Sequence, residues 1–281
     1  MALIDALLPP SCAACGAPGW PLCGECTDRV GVITPPWCSR CGRPWEEPIE
    51  GCVDCPPRVI DSVRAPFLYD GPMADAIRGM KFSGWHALAG HLAGAMAEVW
   101  DELRTDVITW VPLSRRRRRR RGFDQAEVMA AALGKRLELP RRGLLRRARE
   151  TEAQARKSGV ERRRALQDAF VVVGEVPDRV LLVDDVLTTG ATAAAGAATL
   201  KRGGARRVAV LAGARSLGGP VPARCVGRRP DLEPAGRREY HRSGPTPGSV
   251  VARGIVPRKS MPAAGETTHV RRPLVAEHGA A

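Results

Sequence analysis

Apolar positions along this chain switch between two spacings, and the switches outline a mixed α/β architecture. Apolar runs at 63–69 (VRAPFLY), 107–111 (VITWV), 170–173 (FVVV), 180–183 (VLLV) and 208–211 (VAVL) predict strands. The unbroken 180–183 run suits a strand buried on both faces of a parallel sheet. Apolar residues at helical spacing predict helices over 73–84, 86–104 and 122–139. In the last of these Asp124 stands at the N-cap and Glu127 at the capping-box position. Another helix, 193–204, follows the 180–183 strand and ends on Gly203 and Gly204. The expected fold class is α/β, a parallel sheet flanked by helices.

Two carboxylates, Asp184 and Asp185, end the 180–183 run, and a tight loop from Leu187 to Thr192 comes after them. The carboxyl end of a buried parallel strand is where open α/β sheets bind ligands. Free backbone N–H groups at the start of the next helix suit a phosphate. Thr188, Thr189 and Thr192 add hydroxyl donors, and Gly190 lets the backbone approach a ligand closely. Carboxylates for sugar hydroxyls beside a loop for phosphate point to recognition of a ribose 5-phosphate.

The stretch VLLVDDVLTTGAT resembles the phosphoribosyl pyrophosphate (PRPP) binding motif of type I phosphoribosyltransferases. The resemblance implies that Asp184 and Asp185 take the ribose hydroxyls, and that Thr188, Thr189, Gly190, Ala191 and Thr192 hold the 5-phosphate. It also implies Mg²⁺ bridging the diphosphate and ribose, with pyrophosphate leaving when a nucleophile attacks C1. Positioning and electrostatics, not a covalent nucleophile, would carry such a reaction.

Eight of the nine cysteines form four CxxC pairs: Cys12/Cys15, Cys23/Cys26, Cys38/Cys41 and Cys52/Cys55. Two intervening residues let both thiolates reach one metal ion, and four thiolates close a tetrahedral zinc site. Eight therefore permit two structural Zn²⁺ ions. The spacing favours sequential pairing of the pairs and leaves an interleaved cross-brace open. Residues 1–57 read as this zinc-binding module, too short and too poor in large apolar residues to fold without metal.

The net charge of +14 favours anionic partners, and half of it sits in one run, Arg115 to Arg121. The run follows the 107–111 strand, so it predicts a cationic loop at the same sheet edge as the acid pair. VPLSRRRRRRRGFDQAE resembles the signature of the ComF/GntX-like family, with Asp124 in place of its usual Asn. That resemblance places the diphosphate of PRPP near this loop and singles out Arg121, and it adds Lys81, of GMKFSG, as a ligand-site candidate. It also implies a hood motif over 141–170, where Gln154, Arg162 and Phe170 fall in register but Lys157 and Ala165 replace the usual Leu and Asn.

The resemblance covers residues 10–216, giving a phosphoribosyltransferase-like α/β domain over 58–216. Residues 217–281, with Cys225, lack periodicity and read as a disordered tail. No run of 18 apolar residues predicts a membrane span, and the N-terminus lacks the form of a secretion signal, so a cytoplasmic location is expected. A PRPP-dependent transferase and a non-catalytic PRPP, nucleotide or single-stranded DNA binding accessory of DNA uptake, partnered by a helicase-like protein, both remain open.

Overall fold

The computed structural model describes residues 11–218, except 48, 50, 53–54, 84–85, 101–103 and 149–168, together with 226–227. The hood positions Gln154, Lys157, Arg162 and Ala165, and most of the expected tail including Cys225, lie outside the described residues.

In chain order the elements are α1 (Gly24–Asp28), β1 (Val32–Ile33), β2 (Ser62–Arg64), β3 (Phe67–Leu68), α2 (Gly71–Ser83), α3 (His86–Val99) and β4 (Val107–Trp110). They continue with α4 (Arg115–Arg121), α5 (Gln125–Leu137), β5 (Leu145–Arg147), β6 (Phe170–Val172), β7 (Arg179–Leu187), α6 (Ala191–Arg202), β8 (Arg207–Arg215) and β9 (Val226–Gly227). The main sheet runs β4-β7-β8-β3-β1-β9, with β2 also on β8. Its centre is parallel: β4 pairs with β7, β7 with β8, and β2 and β3 with β8. A separate antiparallel pair joins β5 to β6.

Side-chain alternation along β7 sorts the core into two layers. Leu181 and Val183 pack with Leu92, Met96, Met129 and Leu133, from α3 and α5. Val180 and Leu182 face the other way, onto Ala193, Ala197 and Leu200 of α6. The strand is buried on both faces, as the unbroken apolar run requires.

Four local expectations change. The 63–69 run is two strands, β2 and β3, interrupted at Ala65 and Pro66; proline has no N–H for the ladder, and the Pro66 carbonyl instead accepts from Ile33. Strand β7 runs through the acid pair to Leu187, so the loop shrinks to Thr188–Gly190, and Ala191 and Thr192 open α6. The arginine run is a helix, not a loop. The sheet also extends past residue 216: Val226–Gly227 pairs antiparallel with β1, and Arg43 donates to the Gly218 carbonyl.

The cysteine-bearing segment is built into the fold. Strand β1 lies between β3 and β9, while Cys12, Leu22, Cys26, Val30 and Val32 share one apolar cluster with Phe67, Ile77 and Leu92. The Trp20 ring meets His91 of α3 edge-on, with centroids 6.2 Å apart. Among the described residues no helix is long and apolar enough to cross a membrane.

Candidate functional site

Strands β4 and β7 end side by side, and the segments that leave their carboxyl ends build one cleft of about 300 Å³. From β7 come Asp184 and Asp185, then Thr188 and, in the first turn of α6, Thr192. Beyond β4 the segment Val111–Leu113 forms another wall. Lys81 reaches in from α2, and Arg117 and Arg121 from α4.

Asp185 is paired: its Oδ2 lies 2.9 Å from Lys81 Nζ. The Asp184 carboxylate accepts the Asp185 backbone N–H at 2.8 Å. Burial pushes the Asp184 carboxyl well above the usual carboxylate range, and the Asp185 charge pushes it further; the Asp185 N–H and the Lys81 charge oppose this. The cleft therefore holds a strained acid pair that a cation or several hydroxyl donors would relieve.

On the opposite side Gly190, at φ 71°, caps α6, a left-handed conformation that glycine adopts without steric cost. Thr189 Oγ1 accepts from the Ala191 N–H at 3.4 Å, so Thr189, Gly190 and Ala191 shape the turn while Thr188 and Thr192 line the cleft. The exposed Thr188 and the open first turn of α6 present donors at the positive end of that helix.

The arginine run becomes α4 because both ends are capped. Ser114 Oγ accepts from the Arg117 N–H at 3.3 Å, and Gly122, at φ 80°, turns the chain out. Asp124 then caps α5, as its spacing predicts, accepting from Ala126 and Glu127, and it also holds the Leu113 N–H at 2.8 Å. The Glu127 carboxylate, at the capping-box position, pairs with Arg118 at 3.0 Å.

Sequence reasoning assigned no role to two further lining residues. Gln125 is 1% exposed. Its Oε1 accepts from Arg121 Nη1 at 3.0 Å, which fixes the amide and leaves Nε2 a buried donor without a partner among the described residues. Arg147, on β5, donates from Nε to the Pro112 carbonyl at 2.9 Å, and its guanidinium lies 5.0 Å above the Phe170 ring. Gln125 stands inside the RGFDQA signature and was recoverable from it. Arg147 has arginines on either side, at 146 and 149, and nothing in the sequence marks it out.

The cysteines gather into two clusters, Cys12/Cys15/Cys23/Cys26 and Cys38/Cys41/Cys52/Cys55, each with its four Sγ atoms within 4.8 Å of one another. This is the sequential pairing, not the cross-brace. Sulfur–sulfur separations of 3.7 Å (Cys15–Cys23), 3.6 Å (Cys38–Cys55) and 3.4 Å (Cys41–Cys52) approach the ~3.8 Å of tetrahedral Zn–S bonds of about 2.3 Å. Beside the second cluster the guanidinium of Arg215, 5% exposed, donates to the Cys41 carbonyl and interacts with the Cys41 and Cys52 thiols. Four thiolates around Zn²⁺ carry a net charge of about −2, which a buried arginine complements. The donor sets fit two closed, structural zinc sites.

Residues 3–56 match the double zinc ribbon domain. The chain is 35% identical to the DNA utilization protein YhgH of Escherichia coli K12 over 158 residues, covering 53% of this chain and 70% of that protein. The chain belongs to the ComF/GntX-like family. It is also 33% identical to the competence protein ComFC of Streptococcus pneumoniae over 133 residues, 47% of this chain and 58% of that one. Among solved structures, a glutamine PRPP amidotransferase from B. subtilis, complexed with ADP and GMP, aligns at a TM-score of 0.34 and 22% identity. That alignment covers 44% of this chain and 26% of the amidotransferase.

Proposed function

We propose that the cleft binds the ribose 5-phosphate part of PRPP, with Mg²⁺. The observation that carries this reading is the convergence of an acid pair, a threonine turn at a helix start and several cations on one cleft. Asp184 and Asp185 accept from the ribose hydroxyls, and Thr188, Thr192 and the first N–H groups of α6 take the 5-phosphate. Arg121 and Lys81 stand for the diphosphate, joined by Arg117 and Arg147. Bound Mg²⁺ would neutralise the diphosphate and make it a better leaving group. In this reading the chain supplies orientation and charge stabilisation. A role in the handling of incoming DNA is supported by the relatives, which are a DNA utilization protein and a competence protein.

Calorimetry with PRPP, with and without Mg²⁺, tests the reading. The Asp184→Asn/Asp185→Asn variant should lose about 1.5–3 kcal/mol per charge-assisted hydrogen bond, roughly ten-fold or more in affinity each. Undiminished binding by that variant would remove the acid pair from the site. Pyrophosphate release with a panel of acceptors then separates a transferase from a PRPP-binding accessory.

A second reading, contact with single-stranded DNA, is favoured by the exposure of Arg115 to Arg120 on α4. It predicts salt-dependent binding with a log–log slope of about −0.7 per phosphate neutralised. Serine at 115, 116, 118 and 119 should flatten the slope and spare PRPP, whereas Arg121→Ala should weaken PRPP.

A further inference from the structure

The amino-terminal edge of the parallel sheet carries a second cavity, of about 560 Å³. Its wall is made where strands begin: Ser62, Arg179 and Arg207 are the first residues of β2, β7 and β8, and Arg104 stands just before β4. Along β7 this edge is about 17 Å from the acid pair at ~3.3 Å per residue, and the two cavities share no lining residue.

The charges here are unevenly satisfied. Arg179 and Arg207 are register partners on adjacent strands, so two like charges lie side by side. Arg179 is neutralised by Asp106, which accepts its Nη2 at 2.9 Å and its backbone N–H at 2.9 Å. Asp61 is also engaged, accepting the Val208 N–H at 2.7 Å and pairing with Lys201 at 2.9 Å. Arg104 and Arg207 have no acidic partner among the described residues. Ser62 is 7% exposed, and its hydroxyl has no hydrogen-bond partner among them either. Buried hydroxyls are ordinarily bonded, and arginines at a cavity without a carboxylate partner suit an anion.

We infer that this cavity is a second anion site, one that binds a small phosphate monoester. Two uncompensated guanidiniums match the double charge and the several terminal oxygens of a phosphate monoester better than a single carboxylate. Ser62 Oγ supplies a neutral donor to an oxygen of the same group. Val180 and Ala209, which also line the cavity, give the organic part an apolar wall. The inference does not depend on what the cleft at the carboxyl edge binds.

Calorimetry on the zinc-loaded full chain tests it, with glycerol 3-phosphate as the probe and glycerol as the uncharged control. Arg104 and Arg207 are both exposed, so Arg104→Gln/Arg207→Gln keeps the fold, and melting curves check this. That variant should lower affinity about a hundred-fold, ten-fold for each charge-assisted hydrogen bond removed, and Ser62→Ala several-fold. Thr188→Ala/Thr192→Ala, at the other edge, should leave this binding component intact. A probe that binds no better than glycerol would overturn the inference. So would a titration unchanged by Arg104→Gln/Arg207→Gln but abolished by the threonine substitutions.

Discussion

Two adjacent, half-buried carboxylates hold the Asp184 proton more tightly in the folded chain than in the unfolded one. A group whose folded pKa is raised favours folding most below its unfolded pKa, near 4, and that contribution is lost as pH rises through the folded pKa. Asp184→Asn removes the charge while keeping an acceptor for the Asp185 N–H. The variant should therefore melt above wild type at pH 8, with the gap closing towards acid pH, as thermal denaturation across that range would record. A lower melting temperature at pH 8 would mean that Lys81 stabilises the Asp184 charge more than burial penalises it. The acid pair was legible because carboxylates at the end of an apolar run are chemically conspicuous. Gln125 could be found from its place in the RGFDQA signature, but which end of its amide is free shows only once Arg121 fixes its orientation. Arg147 depends on the β5–β6 pairing, between segments more than twenty residues apart, and no local pattern encodes that pairing.

At the scale of elements, periodicity located the central strands and the long helices but missed β1 and β9 and misjudged α4. Seven consecutive like charges suggest a solvated loop, yet arginine is a good helix former and the flanking Ser114 and Gly122 supply both caps. Charge dominates the visual pattern, while the caps decide the conformation. Gly122 is the sensitive point, because it turns the chain from α4 into the Asp124 cap of α5. A Cβ there meets nothing within 4 Å, so the cost of Gly122→Ala is conformational alone, about 1–2 kcal/mol for the left-handed region. Urea denaturation should show that loss, with a smaller one for Gly122→Asn, and PRPP affinity should fall with Gly122→Ala as Arg121 shifts from the cleft. Unaltered stability in Gly122→Ala would mean that this junction is not held in the left-handed conformation.

For the whole molecule, the four CxxC pairs foretold two zinc clusters but not their consequence for the sheet. Strand β1 lies between Cys26, the last ligand of the first cluster, and Cys38, the first of the second, and it pairs with β3 on one side and β9 on the other. Such pairing over long sequence separations is invisible to spacing rules. Zinc binding in small cysteine modules is worth about 10–16 kcal/mol per site, comparable with the roughly 5–15 kcal/mol that holds an entire domain folded. Removing the metal should therefore do more than loosen a surface appendage: it should strip β1 from between β3 and β9 and open the apolar cluster that joins Cys12, Leu22 and Val32 to Phe67, Ile77 and Leu92. A strong chelator should release two zinc ions per chain and lower the melting temperature of the α/β part, seen as lost protection of the β3 and β8 amides in hydrogen exchange. Ending the chain after Ser216, which removes β9, should weaken the same edge more mildly, and ending it after Gly227 should not. If zinc leaves while β3 and β8 stay protected, the module and the sheet are energetically separate, and the shared cluster contributes little to the fold.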